Sequence, residues 1–433
     1  MILIQENFLH YLWKHKIFTV NKLQTSNNEN LQIFRSGKHN LNSGPDFFNA
    51  KIKIGQQLWA GNIEIHVKAS DWYLHHHERD DNYDNVILHV VWVNDLEVYH
   101  KNNSPIATLE LKTFVSRDVV FKYKTLFFKK SKWINCEKSM ATIDRFILNN
   151  WLEVLYIERI EQKSNLINEL LKKYSNDWEE VLFLVLAKNF GLKINGDSFM
   201  NLAMSIDFKI IRKEQNSLIN LEALLFGQAG FLNKKKEDSY YKSLQNEYRY
   251  LRSKYRIEPL FNGQFQFFRL RPNNFPTIRL AQLSMLYYSH QNLFSKILKL
   301  NEMKDFYDLF KINTSSFWKE HYNFNSKSIN RPKLLTKQFI NLILINTVIP
   351  LRFVYNKHIG KIENGDIFRL SKQIQVEKNK ILENYIVIMN SLTEKNFKIK
   401  NAMESQAFLQ LKTSYCDKQK CLFCAIGNSL LKS

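Results

Sequence analysis

Cysteine is scarce in this chain, with 4 residues in 433. That excludes a disulfide scaffold and predicts reduced thiols in a cytoplasmic protein. A secretory leader is also missing from the reading: MILIQENFLHYLWKHKIF has no basic start and is interrupted early by charge and histidine. Long apolar runs are absent too. The most apolar stretch, Phe339 to Val354, carries Asn341, Asn346, Pro350 and Arg352. It is short for a bilayer, so it predicts a buried helix and no membrane partner. Acidic residues are in deficit, 41 against 62 Lys+Arg, for a net charge of +21. Such an excess favours a polyanionic partner, with nucleic acid the expected one, although a generally lysine-rich composition gives the same total. No repeat period is detectable.

Hydrophobic residues make up 45% of the chain and aromatics 14%, enough to bury the cores of two or three domains. Residues 5 to 18 carry apolar side chains at helical spacing, with Glu6 in the first turn. Leu31 to Phe34 reads as a short strand and Arg35 to Pro45 as a loop. Ala50 to Ile54 alternates as AKIKI, and Leu58 to Val67 follows a Gly-Gln-Gln turn, so the pair predicts a β-hairpin. Ser70 to Tyr83 is a polar, aromatic crossover. Val86 to Val93 (VILHVVWV) is a continuous apolar run, expected to be a strand buried on both faces. Leu96 to His100 and Thr108 to Lys112 read as two more strands. From about residue 116 helical periodicity takes over, in segments that begin at Ile143 to Tyr174 and end at Val376 to Ser391, with breaks at Gly227 to Gly230 and Arg269 to Arg279. The expectation is an α+β protein: an α/β module with a mixed sheet over 1–115, then a large, basic, mostly helical region over 116–433 ending in a Cys-rich tail.

Most of the chemistry lies between Ser43 and His89. A metal-dependent phosphodiesterase needs carboxylate oxygens for Mg²⁺ or Mn²⁺, a water acidified by the ion, and a nearby group to orient that water. Residues i and i+2 of a strand share a face, so Glu64 and His66 point the same way, and Lys68 does too if the strand runs on. Asp46, just before the hairpin, can reach the same end, and Glu6 on the first helix can complete the set. The order is helix-Glu, Pro-Asp, hairpin, Glu-x-basic, crossover, buried strand.

That order resembles the core of the PD-(D/E)XK nuclease superfamily, which includes restriction endonucleases and archaeal Holliday-junction resolvases. The resemblance implies that Asp46 and Glu64 ligate the metal, with Glu6 a weaker match to the helix carboxylate of some members. The superfamily's water-activating lysine is replaced here by His66, and the alternatives are that His66 acts as base, that Lys68 supplies the ammonium, or that activity is lost. The whole chain also resembles a long bacterial family of unknown function, through SGPDFFNAKIKI, GNIEIHVKASDW, NVILHVVW, LLFGQAGF, RLRPNNFPTIRLAQL and YCDKQKCLFCAIGN. That family implies no mechanism.

His75, His76 and His77 read as a solvated loop, since adjacent histidines point in different directions, with one of them facing the Glu64 pocket as the alternative. His89 reads as a core histidine bonded to a carbonyl or carboxylate. Cys416-x₄-Cys421-x₂-Cys424 has the spacing of a plant-type ferredoxin loop and needs a distant fourth thiolate, for which only Cys136 is available. An iron–sulfur cluster or zinc at these four is expected, against four unligated thiols. Some helicase-associated nucleases of the superfamily have a similar arrangement of one remote cysteine and a terminal trio. Arg269, Arg271 and Arg279 frame two prolines and Phe275, which predicts either a phosphate clamp with a stacking ring or a helix connection. The functional expectation is a metal-dependent nuclease. The alternatives are a non-catalytic nucleic-acid-binding or scaffold protein on a degenerate nuclease fold, and a purely structural protein.

Overall fold

The computed structural model describes residues 4–128, 133–260, 265–361, 364–391 and 396–432. The chain is α+β, a mixed sheet followed by a largely helical region. It forms two compact units. The first comprises 1–151, 387–396 and 411–433, and the second comprises 152–386 and 397–410.

In the first unit α1 (Glu6–His15) is followed by β1 (Leu23–Gln24), β2 (Asn30–Arg35), β3 (Lys38–His39), β4 (Phe47–Ile54) and β5 (Gln57–Lys68). After the short α2 (Asp71–Leu74) come β6 (Val86–Val93) and β7 (Thr108–Glu110). The sheet order is β1-β2-β4-β5-β6-β7, with β3 paired to β4. β2, β4 and β5 are antiparallel, whereas β6 is parallel to β5 and β7 to β6. The β4–β5 hairpin turns on Gly55-Gln56, and Gly55 takes the left-handed φ of 56° that such a turn requires.

β6 is covered on both sides, as its apolar run predicts. Leu88 and Val90 enter a core with Ile63 and Ile65 of β5 and with Phe8, Leu9, Leu12 and Trp13 of α1. His89 and Val91 face the other way, towards Trp72, Tyr83 and Val98. The expected strand Leu96–His100 is reduced to a single bridge between Tyr99 and Pro105. The first unit also continues past residue 115. In α3 (Arg117–Phe127), Tyr123 stacks on Phe8 at 3.9 Å between ring centroids and Leu126 enters the same core. The C-terminal tail belongs to this unit as well: Leu422 and Leu431 are buried in that core.

The second unit takes most of α4 (Arg145–Lys173), then α5 (Trp178–Phe190), α6 (Leu192–Met204), α7 (Phe208–Glu214), α8 (Leu218–Gln228), α9 (Ser239–Tyr255), α10 (Pro276–Ser289) and further helices. The glycine break after Phe226 starts later than the sequence suggests. α8 runs through Gly227, where a Cβ would lie 2.1 Å from the Tyr248 ring, so glycine permits a close α8–α9 approach. The segment 337–358 is long and apolar enough to cross a membrane, but 78% of its apolar window is buried within this unit.

Candidate metal centre

β5 supplies the centre of the site. Its pleat sends Ile63 and Ile65 into the core, so Glu64 and His66 share the opposite face. Both are buried. β4 begins at Phe47, opposite Ile63, so the stretch of β5 beyond Ile63 has no antiparallel neighbour there. Asp46 fills the gap. Its Oδ2 accepts the Ile65 N–H at 3.0 Å, and its own N–H donates to Glu64 Oε2 at 3.1 Å. Two carboxylates 18 positions apart are thus locked side by side by backbone hydrogen bonds.

α1 brings two more groups. His10 Nε2 lies 3.1 Å from Asp46 Oδ2 and 3.7 Å from Glu6 Oε1, one helical turn away. On the far side of Glu64, Oε1 is 3.6 Å from His66 Nε2 and 3.4 Å from His77 Nε2. His66 is held at both ring nitrogens, Nδ1 against His89 Nε2 at 2.8 Å and Nε2 against His75 Nδ1 at 3.1 Å. One ligand atom each from His66, His75 and His77 lie within 4.8 Å of one another.

His75 and His76 are exposed, as a solvated loop requires, while His77 faces the Glu64 pocket, the alternative that the sequence left open. His76 adopts a left-handed conformation, φ 60° and ψ 30°. This reverses the backbone between its neighbours and lets His75 and His77 converge. His77 is stacked on Tyr83 at 3.8 Å between centroids. His89 is buried as expected, but its partner is His66 rather than a carbonyl or carboxylate, and its Nδ1 has no protein partner.

The electrostatics are those of a site short of positive charge. The three carboxylates find histidines and backbone N–H groups as partners, not lysine or arginine. Burial, and after it the neighbouring Asp46, pushes the Glu64 carboxyl up to about 9. Glu6 is raised by burial, with Asp46 adding to the effect. Burial and then the surrounding imidazoles push His66 down to about 2, and burial with His77 pushes His89 down to about 3. His10 is raised: burial opposes its charge, but the hydrogen bond to Asp46 and the nearby carboxylates outweigh it. A divalent cation would take the place of the proton that burial favours on Glu64 and would be met by imidazole lone pairs. The donors fit. Carboxylate oxygens come from Asp46, Glu64 and Glu6, and imidazole nitrogens from His66, His75 and His77.

The family model described as "Protein of unknown function (DUF2851)" matches residues 6–380. The chain belongs to that family. The match takes in the whole of this site and ends before the terminal cysteines. No curated protein and no solved structure matches the chain.

The remaining sequence-derived residues fall elsewhere. Lys68 is the exposed last residue of β5. Its charge acts on Asp95, and its N–H donates to Asp71. In the second unit Arg269 and Arg271 are exposed. Arg279 is not, and this corrects its reading as a phosphate contact. It is a buried residue of α10 bound to Gln282 at 2.8 Å and Asn274 at 2.6 Å, with its guanidinium 3.5 Å from the centre of the Phe339 ring. Cys136, Cys416, Cys421 and Cys424 line one small cavity in the first unit, and none is in a disulfide. Sequence reasoning overlooked His10, although its i,i+4 spacing from Glu6 was a signal for it. It also gave too little weight to His75, His77 and His89.

Proposed function

We propose that this protein hydrolyses phosphodiester bonds of nucleic acid with a divalent metal held by Asp46 and Glu64. The observation that carries the reading is the pairing of these two carboxylates at the break in the β4–β5 ladder, with histidines as their side-chain partners among the described residues. The strand order supports it. A helix bearing Glu6, the antiparallel β2-β4-β5, a crossover and a parallel β6 follow the order of the PD-(D/E)XK nucleases that the sequence resembles. The chain's net charge of +21 supplies attraction for a polyanion.

When bound, the ion acidifies a water and neutralises charge developing on the phosphate. Asp46 and Glu64 fix its position, each oriented by a backbone hydrogen bond. His66 stands where the superfamily places lysine. Burial pushes it well below the ordinary imidazole range, so it serves as a ligand or proton relay rather than a cation. Imidazole donors favour Mn²⁺ over Mg²⁺, because Mg²⁺ prefers an all-oxygen shell.

The runner-up reading is a non-catalytic nucleic-acid-binding or scaffold protein on the same fold. Two features favour it: the replacement of lysine by His66 and the deep burial of Glu64, 5% exposed. Incubation of purified protein with labelled DNA and RNA in Mn²⁺, Mg²⁺ or EDTA separates the two. Metal-dependent cleavage that is lost in Asp46→Ala and Glu64→Ala supports hydrolysis. Absence of cleavage in every metal, with both variants binding as wild type, supports the runner-up.

A further inference from the structure

The first unit contains a second set of ligand-type side chains around one cavity, separate from the carboxylates and histidines. Cys136 lies in the turn after α3. Cys416 closes a π-helical turn, Leu411–Cys416, and Cys421 opens the single turn Cys421–Phe423, which leads directly into Cys424. Irregular π turns of this kind are frequent at functional positions. All four cysteines of the chain, separated by up to 288 positions, line one cavity of about 10 Å³. That is roughly the room one water-sized body needs. Asn135, Leu411, Tyr415, Ile426 and Gly427 complete the lining, so the surroundings are largely apolar. Asn135 donates its amide N–H to Cys421 Sγ at 3.5 Å. Hydrogen bonds of this type orient and stabilise ligating sulfur. The tail is also folded tightly around the cavity: a Cβ on Gly427 would lie 2.1 Å from the Cys421 carbonyl oxygen.

We propose that Cys136, Cys416, Cys421 and Cys424 form a four-thiolate metal centre that fastens the C-terminal tail to the first unit. Thiolates in a closed set of four take soft metals, either zinc or iron with or without sulfide. The role is structural. The tail contributes Leu422 and Leu431 to the core, and the centre joins that tail to the turn carrying Cys136. The proposal stands apart from the hydrolytic reading, because its ligands are thiols and no carboxylate or histidine of the other site lines their cavity.

The test uses full-length Glu64→Gln protein, purified anaerobically so that the carboxylate site adds little metal. Elemental analysis for zinc and iron, and assay of acid-labile sulfide, should give about one centre per chain, with visible colour if the metal is iron with sulfide. The same analysis on Cys416→Ser and Cys424→Ser should give less than a tenth of that, with faster tryptic cleavage between 411 and 433. Because these variants could fail to fold, Co²⁺ is also titrated into metal-free protein with native cysteines. A thiolate-to-cobalt charge-transfer band supports the centre. Negligible zinc and iron, both as purified and after anaerobic reconstitution, together with no such band on Co²⁺ addition, overturns it.

Discussion

The two units bury ionisable groups in opposite ways. In the helical unit each buried charge has been given partners. Glu222 accepts from Ser315 and Tyr240, both at 2.9 Å. Lys163 donates to Asn346 at 2.8 Å and Gln406 at 2.7 Å, and Arg352 reaches the carbonyls of Leu298 and Leu300. In the sheet unit Glu64 is set against Asp46, with Glu6 acting on it too; burial pushes the adjoining His66 down, and only His10, held up by Asp46, offsets the crowding. The first arrangement stabilises a fold. The second costs stability unless a cation joins it, and such uncompensated crowding is the mark of a site kept for function.

The contrast is broken most sharply at Glu64. Glu64→Gln should lower metal-dependent cleavage by at least about 100-fold, the scale expected on losing a metal ligand. It should leave the metal-free melting temperature equal or higher, since a neutral amide replaces a carboxyl that burial disfavours. In the helical unit the same logic runs backwards. Arg279→Leu should cost about 3 kcal/mol in denaturant unfolding, by loss of two hydrogen bonds and the contact with Phe339. Its affinity for labelled DNA should be unchanged, because the guanidinium is buried.

Glu222 gives a pH test. Burial raises its carboxyl to about 7. Between about 4.5 and 7 the folded state therefore holds a proton that the unfolded chain has released. Stability of the helical unit should fall as pH rises through that window, by at most about 1.4 kcal/mol per pH unit. Glu222→Gln should flatten the slope, measured by urea unfolding across the range. The smallest effect belongs to Lys68. Lys68→Ala should change cleavage by less than about twofold, whereas His66→Ala should abolish most of it, because of these two residues His66 is the one that lies against Glu64.

Much of this was legible in the sequence where one physical signal sufficed. The first helix, read over 5–18 and found at 6–15, the glycine-led hairpin turn, read as Gly-Gln-Gln and found at Gly55-Gln56, and the apolar strand 86–93 follow from periodicity and a single glycine. Asp46 and Glu64 were legible from their order along the chain. The histidine side of the site was not, because it depends on the left-handed backbone of His76, which no spacing rule reveals. Between a phosphate clamp and a helix connection the sequence could not choose for Arg279, for a related reason: the ring that covers it, Phe339, lies 60 residues on. The unit boundary at 151 in place of 115 depends on Tyr123 stacking on Phe8, another long-range contact.

The central claim is that the carboxylate–histidine cluster binds a divalent cation. The most direct measurement is Mn²⁺ titration followed by the electron paramagnetic resonance of the free ion, on wild-type protein and on Asp46→Ala and Glu64→Gln. Saturable binding to the wild type that weakens at least about tenfold in both variants is the predicted result. Equal Mn²⁺ binding by all three proteins, or none by the wild type, would contradict it.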